Sequence, residues 1–290
     1  MISASKPFDS CAKADIIIRS SDAIDFYVYL PFLEMISPAF GKLSSSATPS
    51  GSTRGLSVVR VTDHSEALRF FLLVLHHRVY KAPVEKPGLI ADICMVARKY
   101  ETPTIEARMK EQLIASSAPV QKPLCVYAIA TALGWSDVAK VAAKNTLDKQ
   151  LEDVMTCIPE LGRITGGDLY HLVKYRTRCA EVACKVVKDG VLHQSYGLQA
   201  VMSIRNRENI AETAIVEKEL MACPRGTTYT NFYDRLSDDT KIRSNSAQPF
   251  VVNIVKCRQR VAQAIEEEID KVIILPCECS RQRTLTSIDR

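Results

Sequence analysis

The side chains with chemistry to offer are ten cysteines and five histidines, and their spacing decides what that chemistry can be. Cys277-Glu278-Cys279, with Cys257 upstream, is the densest group. A structural zinc ion takes four ligands, and paired cysteines usually keep about two to four residues between them so that both sulfurs reach the metal. One intervening residue with no matching pair elsewhere points instead to a solvent-facing tail. His76 and His77 are adjacent in a stretch of helical length, so their side chains leave the axis about 100° apart and do not converge on one ion as an i, i+4 pair would. They read as histidines at the edge of a core. There is no G-x-S-x-G elbow, and Gly166-Gly167 lacks the lysine and spacing of a phosphate loop. Arg205-Asn206-Arg207 and Arg281-Gln282-Arg283 are too short to track a phosphate backbone and read as solvated surface. The sequence therefore predicts no catalytic residue, no cofactor and no metal; the chain reads as non-enzymatic.

The bulk properties narrow the partners. A net charge of +5 spread over 290 residues leaves no basic stripe for DNA or RNA, and a hydrophobic content of 47% is that of a chain that buries a core. The opening residues, MISASKPFDSCAKAD, lack the apolar run of a signal peptide, and no window approaches the ~20 apolar residues of a membrane helix. The expectation is an intracellular protein, cytoplasmic or nuclear, whose cysteines stay reduced and act as small buried hydrophobes.

With no reactive constellation, what the elements position is a surface. Ala14 to Leu43 organises the reading. Asp15-Ile16-Ile17-Ile18 and Phe26-Tyr27-Val28-Tyr29 are β-rich runs joined by the turn residues Ser20-Ser21-Asp22-Ala23, which predicts a β-hairpin. Pro31 suits a first helical turn, Leu33 and Ile36 continue an apolar face, and Ser37-Pro38 ends that helix and caps a shorter one carrying Phe40 and Leu43.

Strand, strand, helix, then Ser37-Pro38-Ala39-Phe40 resembles the BTB (POZ) domain, a dimerising and adaptor-binding interaction module. The resemblance rests on Ala14-Asp15-Ile16, Phe26-x-Val28, Leu33 and the Ser-Pro-x-Phe phrase. Tyr29-Leu30 stands where many members carry His-Lys, which removes the basic partner Asp15 would otherwise join. The resemblance implies a homodimer, or a heterodimer with related BTB proteins. Its isologous surface comes from the first strand and the following helices, with Ile17, Leu30, Leu33, Ile36 and Phe40 at or near the contact. It also implies an adaptor that holds partners on a cullin ubiquitin ligase, or alternatively a transcription-associated scaffold acting through a DNA-binding partner.

The rest of the chain is read as follows. Residues 1–13 are a flexible N-terminus and Ser44 to Gly55 an exposed loop. Leu56 to Val61 is a third strand, capped by Asp63 or Ser65 into the almost continuously apolar helix ALRFFLLVLHHRVY. Helices over 89–100 and 105–115 close a BTB/POZ-like domain at 14–118. A helical, BACK-like extension follows over 123–190, with Gly134 as a stop, Ser136 as a cap and Gly166-Gly167 as a tight turn. Tyr127 to Ala130, Gly134-Trp135 and Gly166 to Tyr170 resemble a fungal branch of the family. Residues 191–249 read as loop-rich and partly disordered, with one polar helix near Ala211 to Leu220. A long amphipathic helix spans 250–276, its Glu267 and Lys271 placed as an i, i+4 pair, and 277–290 is a flexible tail. The expected class is α+β: a short sheet capped by helices, then an all-α extension.

Overall fold

A computed structural model describes residues 2–42, 48–53, 55–76, 81–192, 208–239 and 248–274. The fold is α+β, and the chain divides into two compact units, Met1–Ile129 and Ala130–Arg290.

In the first unit five strands, β1 (Ile2–Ser3), β2 (Ile16–Arg19), β3 (Ile24–Val28), β4 (Thr48–Thr53) and β5 (Leu56–Arg60), make one sheet in the order β1-β3-β2-β5-β4. β2 lies at the centre, antiparallel to β3 and parallel to β5. Its Ile-Ile-Ile sequence is explained by burial on both faces, because successive side chains of a strand point to opposite sides. Ile17, opposite Tyr27 and Val58, lies under Ala12, Ala14 and Leu56. Ile16 and Ile18, opposite Val28 and Phe26, fill the other face. The hairpin ends in a bidentate ion pair: Arg19 donates to both oxygens of Asp25 at 2.6 and 2.9 Å, with Asp25 buried.

Helices of this unit are α1 (Leu30–Ile36), α2 (Ser65–Leu75), α3 (Pro87–Lys99), α4 (Pro103–Ala115) and α5 (Ala118–Gln121). Ser37 ends α1 and its hydroxyl accepts from the Ala39 N–H, turning the chain so that Phe40 enters the core. There Phe40 stacks on Tyr100 at 4.5 Å, with Phe71 of α2 beside both. α2 is the apolar helix expected, with Leu68, Phe71 and Leu72 fully enclosed. Its cap is neither Asp63 nor Ser65. His64 holds the N-cap position, and Asp22, from the β2–β3 turn, accepts both the Ser65 N–H (3.0 Å) and the Ser65 hydroxyl (2.6 Å). Asp63 instead receives Lys99 and the Tyr100 hydroxyl.

Two segments read as flexible or looped are ordered elements. Residues 2–13 run along the sheet rather than trailing from it: β1 pairs with β3, and Phe8 is 3% exposed against Phe26 and His76. Thr48–Thr53, inside the expected loop, pairs antiparallel with β5; Leu43 and the remainder of Ser44 to Gly55 other than Gly55 itself lie outside the described residues.

The boundary between units falls inside α6 (Pro123–Leu133), so the linker expected around 118–123 is helical at α5 and α6. The second unit contains α7 (Ser136–Asn145), α8 (Leu151–Val154), α9 (Gly166–Leu192), α10 (Glu208–Ala222), α11 (Gly226–Asp239) and α12 (Gln248–Lys271). Gly134, at φ 74°, stops α6, with the Trp135 N–H closing back on the Ala130 carbonyl. Ser136 does not cap α7, whose N-cap position is Trp135. α9 begins at Gly166 through a reciprocal cap: the Asp168 N–H donates to the Thr165 hydroxyl, and Asp168 accepts the Thr165 N–H at 2.8 Å. Two helices, α10 and α11, occupy the span read as loop-rich, where one had been expected. The stripe of α12 faces its own unit, burying Val261, Ile265 and Ile269 as the helix packs on α9 and α11. Its surface pairs differ from expectation: Lys271 bonds to Glu268, and Glu267 accepts from Gln263.

Candidate interaction surface

The residues expected at an interface separate into two groups. Ile17, Leu33 and Phe40 are each 0% exposed and have no surface to give a partner. The physical reason is local: segment 12–14 covers Ile17, Leu33 lies on the buried side of α1, and the aromatic trio encloses Phe40. These three are corrected to core residues. Leu30 is half-buried and Ile36 is exposed.

α1 is what presents them. Its first turn is anchored by Asp15, whose carboxylate accepts the Leu30 N–H at 2.8 Å, so this acid serves the N-terminal end of the helix in place of the basic side chain it was expected to lack. The inner side is fixed by Leu33 and by Phe32, whose ring stacks on His76 at 4.5 Å. The outer side leaves Tyr29 54%, Met35 78% and Ile36 36% exposed. These three large apolar side chains within two turns had not been read as a set. For Met35 the signal was present in the sequence, since it falls outside the i, i+3 run of Leu33 and Ile36; that run gave none for Ile36, which the fold leaves exposed.

Among the described residues the groups with reactive potential are dispersed, and the buried thiols are held protonated. Burial pushes the Cys94 thiol up to about 12, with Glu106 adding to the effect. Burial likewise raises Cys179 to about 11 against the opposing Tyr175 hydrogen bond, and it raises Cys184 and Cys223. Thiols held protonated are poor nucleophiles and poor metal ligands. Among the described residues no three His, Cys, Asp or Glu side chains gather as metal ligands. His76 is a stacked aromatic between Phe8 and Phe32. His77, Cys277, Cys279, Arg205 to Arg207 and Arg281 to Arg283 lie outside the described residues, as does the side chain of Cys257. No described helix is long and apolar enough to cross a membrane.

In the second unit the buried cation is Arg176. Burial lowers its pKa, and its guanidinium donates to the carbonyls of Thr146, Lys149 (2.7 Å) and Ala222 (3.2 Å). Two of these carbonyls follow α7 and one ends α10, so helix-end dipoles supply negative potential to the cation. Glu266 of α12 forms a second knot, accepting the Gly226 N–H at 2.9 Å and standing 3.3 Å from both Lys144 and Arg225. Both join elements of this unit. No family model matches this sequence, and no curated protein matches it.

Proposed function

We propose that this chain is a non-enzymatic protein-interaction module of BTB type, which self-associates through the outer face of α1 and offers its helical unit to other proteins. The observation that carries the reading is the outer face itself: Tyr29, Met35 and Ile36 stand in water on a helix pinned from behind by Leu33, Phe32 and Asp15. A rigid element carrying solvated apolar side chains is what a protein interface needs, because association removes their apolar area from water at no cost in ordering the helix. Support for the BTB type comes from the order hairpin, helix, Ser-capped turn and then a strand parallel to β2. The partner class this implies is a second copy or a related chain, with a cullin ubiquitin ligase as the assembly served.

The test is light scattering after size exclusion on the full chain. The wild-type chain elutes at twice the chain mass, and Met35→Asp with Ile36→Asp elutes at the mass of one chain with unchanged circular dichroism. An unaltered dimer in that double variant removes α1 from the interface. Pull-down by purified cullin separates the adaptor from the scaffold reading, and absence of binding at micromolar protein removes the adaptor.

A further inference from the structure

Residues 2–8 meet the edge of β3 as a bound peptide meets a groove. Ile2 and Ser3 pair parallel with Ile24 and Asp25, the Ala4 N–H donates to the Asp25 carbonyl at 2.8 Å, and the Tyr27 N–H donates to the Phe8 carbonyl at 3.1 Å. The contact is thus main chain to main chain. Arg69, reaching from α2, grips the back of the segment by donating to the carbonyls of Ser5 (2.8 Å) and Lys6 (3.0 Å). Only two side chains between Ile2 and Phe8 are buried, Ala4 and Phe8, and Phe8 fills a slot beside Phe26 and His76. Ile2, Ser3, Ser5 and Lys6 face water. A cleft of about 190 Å³ is lined by Pro7, Phe8, Lys13, Tyr27, Tyr29 and His76. Backbone pairing over Ile2 to Ala4 is how an extended peptide adds to a sheet edge, and from Ser5 the segment turns, the Phe8 N–H donating to the Ser5 carbonyl at 3.3 Å, which carries the aromatic into its slot.

We propose that the β3 edge, the Arg69 clamp and the Phe8 slot form a peptide-binding groove filled in cis by the chain's own residues 2–8. The partner it fits is a segment that runs parallel to β3 over its first residues, then turns as Ser5 to Phe8 do, and carries a small residue followed four positions later by an aromatic. Tethering gives the cis segment an effective concentration on the order of millimolar, so a free competitor gains the groove only where the cis anchors are weakened or the competitor binds more tightly. The groove adjoins α1, since Phe32 stacks on the same His76 that borders Phe8 and Tyr29 lines the cleft, but its test reads peptide binding and not self-association.

The experiment uses a fluorescein-labelled peptide with the sequence of residues 2–10, ISASKPFDS, and fluorescence anisotropy against the full chain. Phe8→Ala in the chain empties the slot, and the peptide then binds saturably and roughly tenfold or more tighter than to the wild-type chain. Ala4→Asp expels the other anchor and gives the same result where Phe8→Ala fails to keep wild-type circular dichroism. Adding Arg69→Ala to either variant weakens the peptide about fivefold or more, because the clamp serves any occupant. A peptide whose phenylalanine is replaced by alanine does not compete. Equal affinity for the wild-type chain and a folded variant, or no binding by a folded variant, overturns the proposal.

Discussion

Asp22 shows how one side chain ties local to distant structure. Burial alone pushes its carboxyl up, but the hydrogen bonds from Ser65 and Ser20 outweigh that and hold it at about 2, below the ordinary 3.8. A folded pKa below the unfolded one stabilises the fold above the unfolded value and loses that contribution as pH falls through the folded value. The wild-type chain therefore loses stability between about pH 4 and pH 2, and Asp22→Asn, already lacking the charge, shows a shallower loss over that window in urea titrations at each pH. The cysteines give a second residue-scale expectation. Cys11 and Cys157 are exposed, whereas Cys94, Cys125, Cys179 and Cys184 are buried. Brief iodoacetamide treatment followed by peptide mass spectrometry labels the first two fully and leaves the other four unmodified; labelling of Cys94 in the folded chain contradicts its enclosure. Ala23 sits in the left-handed region at φ 63°, a conformation that strains a residue with a Cβ. Ala23→Gly raises stability by ~0.5–1 kcal/mol in equilibrium unfolding. At this scale the sequence was legible where its meaning is local. Ser37-Pro38 announces a stop and a cap from within four residues. Asp22 acts on a residue 43 positions away, and Asp15 on one 15 away, so no spacing rule exposes either.

Elements were legible where hydrophobic period and length agreed. β2, β3, β5, α2 and α3 carry strong apolar runs, α4 keeps Ile105, Met109 and Leu113 at helical spacing, and all lie where their patterns place them. The stripe of α12 declared its buried face as well. β1 and β4 were opaque because their stability comes from pairing: Ile-Ser and Thr-Pro-Ser-Gly-Ser-Thr carry almost no β-pattern, and an edge becomes a strand only once its neighbour exists. α11 was hidden by its polar sequence, since Tyr229 and Phe232 are its buried aromatics within a Thr- and Asp-rich run. What fixes α11 against α12 is the closeness of their backbones. A Cβ at Gly226 would stand 2.4 Å from the Ala262 carbonyl oxygen, too near for any side chain. Gly226→Ala therefore forces α12 outward and weakens the Glu266 knot, a loss of ~2 kcal/mol or more in chemical unfolding. An unchanged midpoint contradicts the close approach. Removing the guanidinium in Arg176→Met frees the carbonyls of Thr146, Lys149 and Ala222 together, so its cost follows from unpaired buried acceptors more than from the lost charge.

The whole molecule has two compact units and, in the account proposed here, one task for each. The candidate surface was half legible: α1 was correctly placed, but five residues were nominated from a linear phrase and three proved to be core. The error has a physical source. An apolar residue that the fold encloses and one that a partner covers look alike in sequence; for Ile17 the distinction is made by Ala12 and Ala14 lying over the sheet, and for Phe40 by Phe71 and Tyr100. The remaining apolar side chains, Tyr29, Met35 and Ile36, then stand out because they stay exposed among the described residues.

Sedimentation equilibrium of the full chain across micromolar concentrations tests self-association most directly. The account predicts a mass that rises with concentration to that of two chains, and a shift of that curve to higher concentration when Met35 is replaced by lysine. A mass that stays at one chain throughout contradicts it.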